Sequence, residues 1–134
     1  MGKLAAEYLV HVKVLDEQHQ RLFDIIEELR EANATGKTRE VAAKLLGDLC
    51  DYAHVHFKEE EDLMKKAGYA ALSAHRVAHR DFISRVEKMI ADLGRGHDAT
   101  LGMDLSAFLT EWLQKHVRIA DQQYVEILHS RGIK

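Results

Sequence analysis

The sequence predicts an all-α protein: an up-down-up-down antiparallel four-helix bundle with an N-terminal arm. Three observations predict it. Apolar residues recur at alternating three- and four-residue steps along four long stretches, the mark of amphipathic helices that share one core. The 134-residue chain has no proline, which suits a few long helices better than a fold with many turns. The segments between the stretches are short and glycine-bearing, and short connections make neighbouring helices antiparallel.

Residues 1–14 form an arm of mixed character, and the bundle occupies 15–131, the whole of 1–134 being one domain. The first helix, about 16–34, aligns Leu15, His19, Leu22, Ile26 and Leu29. NATGKT (33–38) then supplies Gly36 as a helix stop and Thr38 as the N-cap of the next helix. That second helix, about 38–65, aligns Leu45, Leu49, Tyr52, His56 and Leu63, with Glu60 beside the stripe. AGYA (67–70) makes a short turn into a third helix, about 70–93, with Leu72, His75, His79, Phe82, Val86 and Met89 in register. After the glycine-rich loop GRGHDATLG (94–102), a fourth helix, about 104–130, aligns Leu105, Leu109, Trp112 and His116 before turning more polar.

Size and charge exclude several functions. A chain of this length with 46% hydrophobic residues holds one compact domain with a real core. Its 19 lysines and arginines are interspersed with 22 aspartates and glutamates for a net charge of -3, with no basic stripe for nucleic acid or an anionic membrane. No run of eighteen apolar residues and no signal-peptide pattern is visible, so a soluble, cytoplasmic protein is expected. Cys50 is the single cysteine, which rules out an internal disulfide and a cysteine zinc site and leaves a small buried or half-buried thiol.

Nine histidines are the compositional oddity, roughly three times an average soluble chain's share. Each of the four stripes carries at least one at a position assigned to the interior: His19, His56, His75, His79 and His116. Burying five imidazoles and a carboxylate without partners would cost several kcal/mol each, more than an ordinary stability of roughly 5–15 kcal/mol can absorb. His56 with Glu60, and His75 with His79, are spaced i, i+4, which puts two donors on one helix face a turn apart. Nitrogen and carboxylate donors of this kind suit iron, zinc, copper or manganese, and so many groups fit two ions sharing carboxylates better than one.

Less specific readings compete at each position. A lone histidine in a helical stripe is more often a hydrogen-bonded core residue than a ligand, but five in four stripes reverse that balance. Glu60 lies in the acidic run 59–62, and its spacing from His56 alone separates it from a solvated face. Asp121 follows His116 by five residues, about 500° of ideal helix, which leaves the two side chains some 140° apart. Either Asp121 reaches around or the helix is irregular there. His11, His54, His97 and His129 fall in the arm, off the stripe, in the loop and near the C-terminus, and are read as non-ligands. Phe57, Trp112, Leu113 and Val117 read first as ordinary core.

DEQHQRLF (16–23), HFKEEEDLM (56–64), HRVAH (75–79) and WLQKHVRIAD (112–121) together resemble, in order and spacing, the motifs of the hemerythrin family, in particular its bacterial single-domain members. The resemblance spans nearly the whole chain. It implies a four-helix bundle around a non-haem di-iron centre that binds dioxygen reversibly, for storage, delivery or buffering. Carried over by position, His75, His79 and His116 would hold one iron, and His19 and His56 the other. Glu60 and Asp121 would bridge the pair with a hydroxide or oxo group. Phe57, Trp112, Leu113 and Val117 would wall the oxygen pocket and slow autoxidation by excluding polar species.

The resemblance further implies small anions as partners of the oxidised centre, and a monomer is the favoured state. Where members commonly have tryptophan, glycine and proline, this chain has Lys3, Lys13 and Ala70, which bears on the packing of the arm and the shape of the second turn. Two other uses of such a centre compete: a redox enzyme acting on peroxide, nitric oxide or dioxygen, and an oxygen or redox sensor module. Ferritin-like oxidases usually take two ExxH motifs, and EILH (126–129) is the only one here. Five histidines with two carboxylates favour reversible binding, so the chain is not expected to be an enzyme.

Overall fold

A computed structural model describes residues 3–96 and 99–134. Three long helices, α1 (Lys13–Thr35), α2 (Thr38–Ala67) and α3 (Leu72–Gly94), are followed by a fourth rod. The rod is segmented: α4 (Leu101–Glu111), a π-helical stretch Trp112–Ala120, a 3-10 turn Asp121–Tyr124 and α5 (Val125–Ser130). Its junctions keep right-handed helical backbone angles, so it runs on as one element. In the arm, a 3-10 turn at Ala6–Tyr8 touches the π stretch. α2 packs against α1 and α3, and α1 against α4, in the expected antiparallel four-helix bundle.

The helix stops follow from glycine. Gly36 and Gly68 take left-handed angles (φ 71° and 75°) that a side chain would resist, and their amides return to carbonyls of the preceding turn. Thr38 does not cap α2 as the sequence led us to expect. It is the first helical residue, and its hydroxyl bonds the Asn33 side-chain carbonyl instead. Asn33 Nδ2 also donates to Gly102 O at 3.2 Å, so this one side chain ties the ends of α1, α2 and α4 together. A Cβ on Gly102 would stand 2.8 Å from Thr38 Cγ2. Close approach explains that glycine.

Two apolar clusters fill the interior. The larger includes Leu22, Ile26, Leu45, Leu49, Phe82, Leu105 and Leu109. The smaller joins Val10 and Val12 of the arm to Leu15, Met64, Tyr124 and Leu128. The two clusters meet at the candidate ligands: His19 lies between Leu15 and Leu22, Glu60 between Phe57 and Met64, Asp121 between Val117 and Tyr124, while His56 and His116 border the larger cluster. A polar layer is therefore sealed above and below by apolar surface. Each fully buried leucine in those clusters contributes about 1.5–3 kcal/mol, which is what can carry the cost of the layer.

Some stripe assignments shift. Leu63 and Leu72 are half-buried while Met64, one position on from Leu63, is fully covered, packed in the smaller cluster with Val10 and Val12 of the arm. Helices α1 and α4 both begin three residues earlier than expected, at Lys13 and Leu101. At the start of α1, Asp16 accepts Val10 N–H at 2.8 Å, and its negative charge suits that end of the helix dipole. The arm is held further by Leu4 N donating to Gln20 at 2.7 Å and by Gln122 donating to Leu9 O at 3.0 Å.

Candidate metal centre

All four rods deliver polar side chains to the sealed layer. His19 comes from α1, His56 and Glu60 from α2, His75 and His79 from α3, His116 and Asp121 from the fourth rod. All seven are buried, none more than 7% exposed.

Apart from His75 Nε2, hydrogen-bonded to Asp121 Oδ1 at 2.8 Å, their atoms converge largely without satisfying one another. His79 Nε2 lies 3.0 Å from Glu60 Oε1, His19 Nε2 3.2 Å from Asp121 Oδ2, and His116 Nε2 3.1 Å from Asp121 Oδ1. Yet among the described residues His19 Nε2, His79 Nε2, His116 Nε2, Glu60 Oε1 and Asp121 Oδ2 have no hydrogen-bond partner. Donors at right angles on one ion, each about 2.0–2.2 Å from it, stand roughly 3 Å apart. That is the spacing found here, so the lone pairs point at shared interior positions rather than at each other.

Two donor groups can be distinguished. Glu60, His75, His79 and His116 offer atoms within 4.8 Å of one another, and so do His19, His56 and Glu60. Glu60 belongs to both. Asp121 also reaches both sides, with Oδ1 at 2.8 Å from His75 Nε2 and Oδ2 facing His19. The question left by its five-residue spacing is resolved by the backbone. The Asp121 amide bonds His116 O, an i→i+5 closure, and such a turn brings residues five apart over one another.

Electrostatics make the same demand. Glu60 is held well below the usual carboxylate range: burial opposes its charge, and the facing His56, His19 and His79 outweigh burial. Asp121 is likewise depressed, against burial and Glu60, by His116 and His19. Burial lowers His19, but Asp121 and Glu60 override it and push it up to about 9. His79 also rises against burial through Glu60 and Glu61, while His56 is lowered by burial. Two ionised carboxylates in a dry layer require positive charge between them. In the metal-free chain His19 supplies it.

Neighbours hold the donors. Tyr124 donates to Glu60 Oε2 at 2.8 Å. Gln18 Oε1 meets His56 Nδ1 at 2.6 Å, and Glu61 Oε2 meets His79 Nδ1 at 2.8 Å. The Tyr52 hydroxyl, also buried, has no hydrogen-bond partner among the described residues. Of these four neighbours, three of which bond a donor, Tyr52 alone stood in a sequence stripe. Gln18 and Glu61 adjoin candidate ligands in the chain, the one signal that could have raised them.

Of the pocket candidates, Phe57, Leu113 and Val117 are buried and Trp112 is half-buried. Phe57 stacks on His79 with ring centroids 3.9 Å apart, and Trp112 stacks on His116 at the same distance. A groove of about 810 Å³, lined by Met89, Leu101, Phe108 and Trp112 among others, runs from the surface to the edge of His116. His11 and His54 are exposed, and His129 is half-buried and faces His11 O at 3.0 Å, all away from the layer. His97 lies outside the described residues.

The chain matches the family model of the hemerythrin HHE cation binding domain over residues 10–128. It is 35% identical over 123 residues to a bacteriohemerythrin of Methylococcus capsulatus, with 90% of each chain covered. To a myohemerythrin of Theromyzon tessulatum it is 30% identical over 115 residues, covering 86% of this chain and 83% of that one. A crystal structure of wild-type hemerythrin aligns with a TM-score of 0.83 at 34% identity, covering 96% of this chain and 97% of the other. With likeness running through sequence, fold and the length of the domain alike, the chain belongs to the hemerythrin family, whose centre is a non-haem di-iron site.

Proposed function

We propose that this protein binds dioxygen reversibly at a non-haem di-iron centre built from the sealed polar layer. The observation that carries the reading is the set of orphaned, buried nitrogen and oxygen atoms contributed by all four rods. The donor set fits two irons: His75, His79 and His116 would hold one, His19 and His56 the other, and Glu60 and Asp121 would serve both. When bound, the irons supply the electrons and the open coordination position on which reversible oxygen binding depends.

The chain's own residues do the rest. Tyr124, by donating to Glu60, fixes the angle of a bridging carboxylate. Phe57, Leu113 and Val117 keep the layer dry, and Trp112 covers a face of the His116 ring where the surface groove reaches it. Dryness favours reversible binding, because water and anions that reach such a centre promote its oxidation to a form that only reductant reverses. We assign no catalytic residue, and the redox-enzyme and sensor readings are not favoured. The proposal takes 1–134 as a single domain, monomeric and cytoplasmic, open to small anions at the oxidised centre. No helix among the described residues is long and apolar enough to cross a membrane.

The test is a visible spectrum of the reduced, iron-loaded protein before oxygen is admitted, after, and again when it is removed. A charge-transfer band that comes and goes over several cycles establishes reversible binding. A single passage to a stable oxidised form, reversed by reductant alone, would favour the enzyme reading; no response would overturn the di-iron assignment.

A further inference from the structure

Two of the five candidate histidine ligands turn their second ring nitrogen to a side chain, and the two partners differ in charge. His79 and His56 both direct Nε2 at Glu60, at 3.0 and 3.3 Å, so in each ring Nδ1 is the nitrogen left to carry the proton. His79 Nδ1–H then donates to the Glu61 carboxylate at 2.8 Å. His56 Nδ1–H donates to the neutral amide oxygen of Gln18 at 2.6 Å. Glu61 is anchored in turn by Arg76, whose Nε donates to Oε1 at 3.2 Å.

A carboxylate that accepts the Nδ1 proton draws it partly off the ring and makes Nε2 a stronger donor, which favours the more highly charged state of a bound metal. An amide oxygen fixes tautomer and ring plane with far less effect on charge. We propose that Glu61 and Gln18 are positioning residues that make the two metal positions chemically unequal: Glu61, acting through His79, enriches the one held by His75, His79 and His116, while Gln18 orients His56 without adding charge. This rests on the di-iron reading. Its consequence is that the three-histidine position is the more easily oxidised of the two, and Arg76 sets how much of the Glu61 charge His79 feels.

The experiment compares iron-loaded wild type with Glu61→Gln, Glu61→Ala, Gln18→Glu and Arg76→Gln. The midpoint potentials of the two one-electron steps and the rate of iron loss to a chelator are read in each. Glu61→Gln preserves the hydrogen bond and removes the charge. One potential should rise by roughly 59 mV or more, the equivalent of a tenfold change in a one-electron equilibrium, and iron loss should quicken about tenfold. Arg76→Gln, at a side chain 47% exposed and so safe for folding, should move the same potential down. Gln18→Glu should lower the other step.

Unchanged potentials in Glu61→Gln and Arg76→Gln, with iron lost only from Glu61→Ala, would make Glu61 a spacer and overturn the proposal. If wild type takes up two irons and cycles with oxygen while these variants leave the potentials alone, this inference alone fails. A wild type that takes up no iron would sink the di-iron reading with it.

Discussion

Asp121 Oδ1 stands 3.1 Å from His116 Nε2 although five residues separate them, because the backbone between them is π-helical and the Asp121 amide bonds His116 O. The same carboxylate faces His19 with its other oxygen. One side chain thus spans both donor groups. Replacing Asp121 with alanine should reduce tightly held iron from two ions per chain to at most one, measured by iron analysis after gel filtration, with helical content unchanged. Two ions retained would show that Asp121 does not bridge.

Tyr124 gives a separate reading of the carboxylates. It is fully buried, and its hydroxyl donates to Glu60, a hydrogen bond to a charged acceptor worth about 1.5–3 kcal/mol. Tyr124→Phe keeps the ring packed against Tyr69 and removes the donor alone. The metal-free variant should lose about that much unfolding free energy in urea titration. A loss below about 0.5 kcal/mol would mean that Glu60 finds another donor, such as water.

These two residues also mark how far the sequence could be read. The bundle was legible because apolar period and glycine stops agree, and the five histidines stood out because each interrupts an apolar stripe. Glu60 was legible through its spacing from His56. The π turn was legible only as one of two alternatives, raised by the five-residue step from His116 to Asp121, because WLQKHVRIA holds residues at home in any helix. Glu61 was hidden because an acidic run reads as a solvated face, and Tyr124 because the end of the rod reads as polar. Thr38 carried a capping signal that Asn33 captured instead.

Trp112, half-buried, lines the groove beside His116 and covers one face of its ring by stacking on it. Trp112→Ala should therefore let water through, and Leu113→Ser or Val117→Ser should bring a polar group to the wall itself. All three variants are expected to autoxidise faster than wild type, followed as decay of the oxygenated spectrum in air. An unchanged rate in both serine variants would remove Leu113 and Val117 from that role.

Metal-free and metal-loaded protein should respond to pH in opposite directions. Without metal, His19 has a folded pKa near 9 against an ordinary value of 6.5. Its contribution is fully present below about pH 6.5 and is lost as pH rises through 9. At about 1.4 kcal/mol per unit this is on the order of 3 kcal/mol, and His79, also raised, acts in the same sense. The depressed carboxylates Glu60 and Asp121 contribute above their ordinary values near 4.5 and 3.8, and that part is lost as pH falls further. His56, lowered by burial, also loses stability toward acid. Metal-free protein should thus melt at lower temperature at pH 9.5 than at pH 6.5. Iron replaces the His19 proton, so the loaded protein loses this alkaline weakness and instead releases metal as acid restores protons to the ligands. It should also melt well above the metal-free form at pH 7.5. Paired melting curves across pH 5–10 check all three statements, and coincident curves with and without iron would contradict the assignment of these residues as ligands.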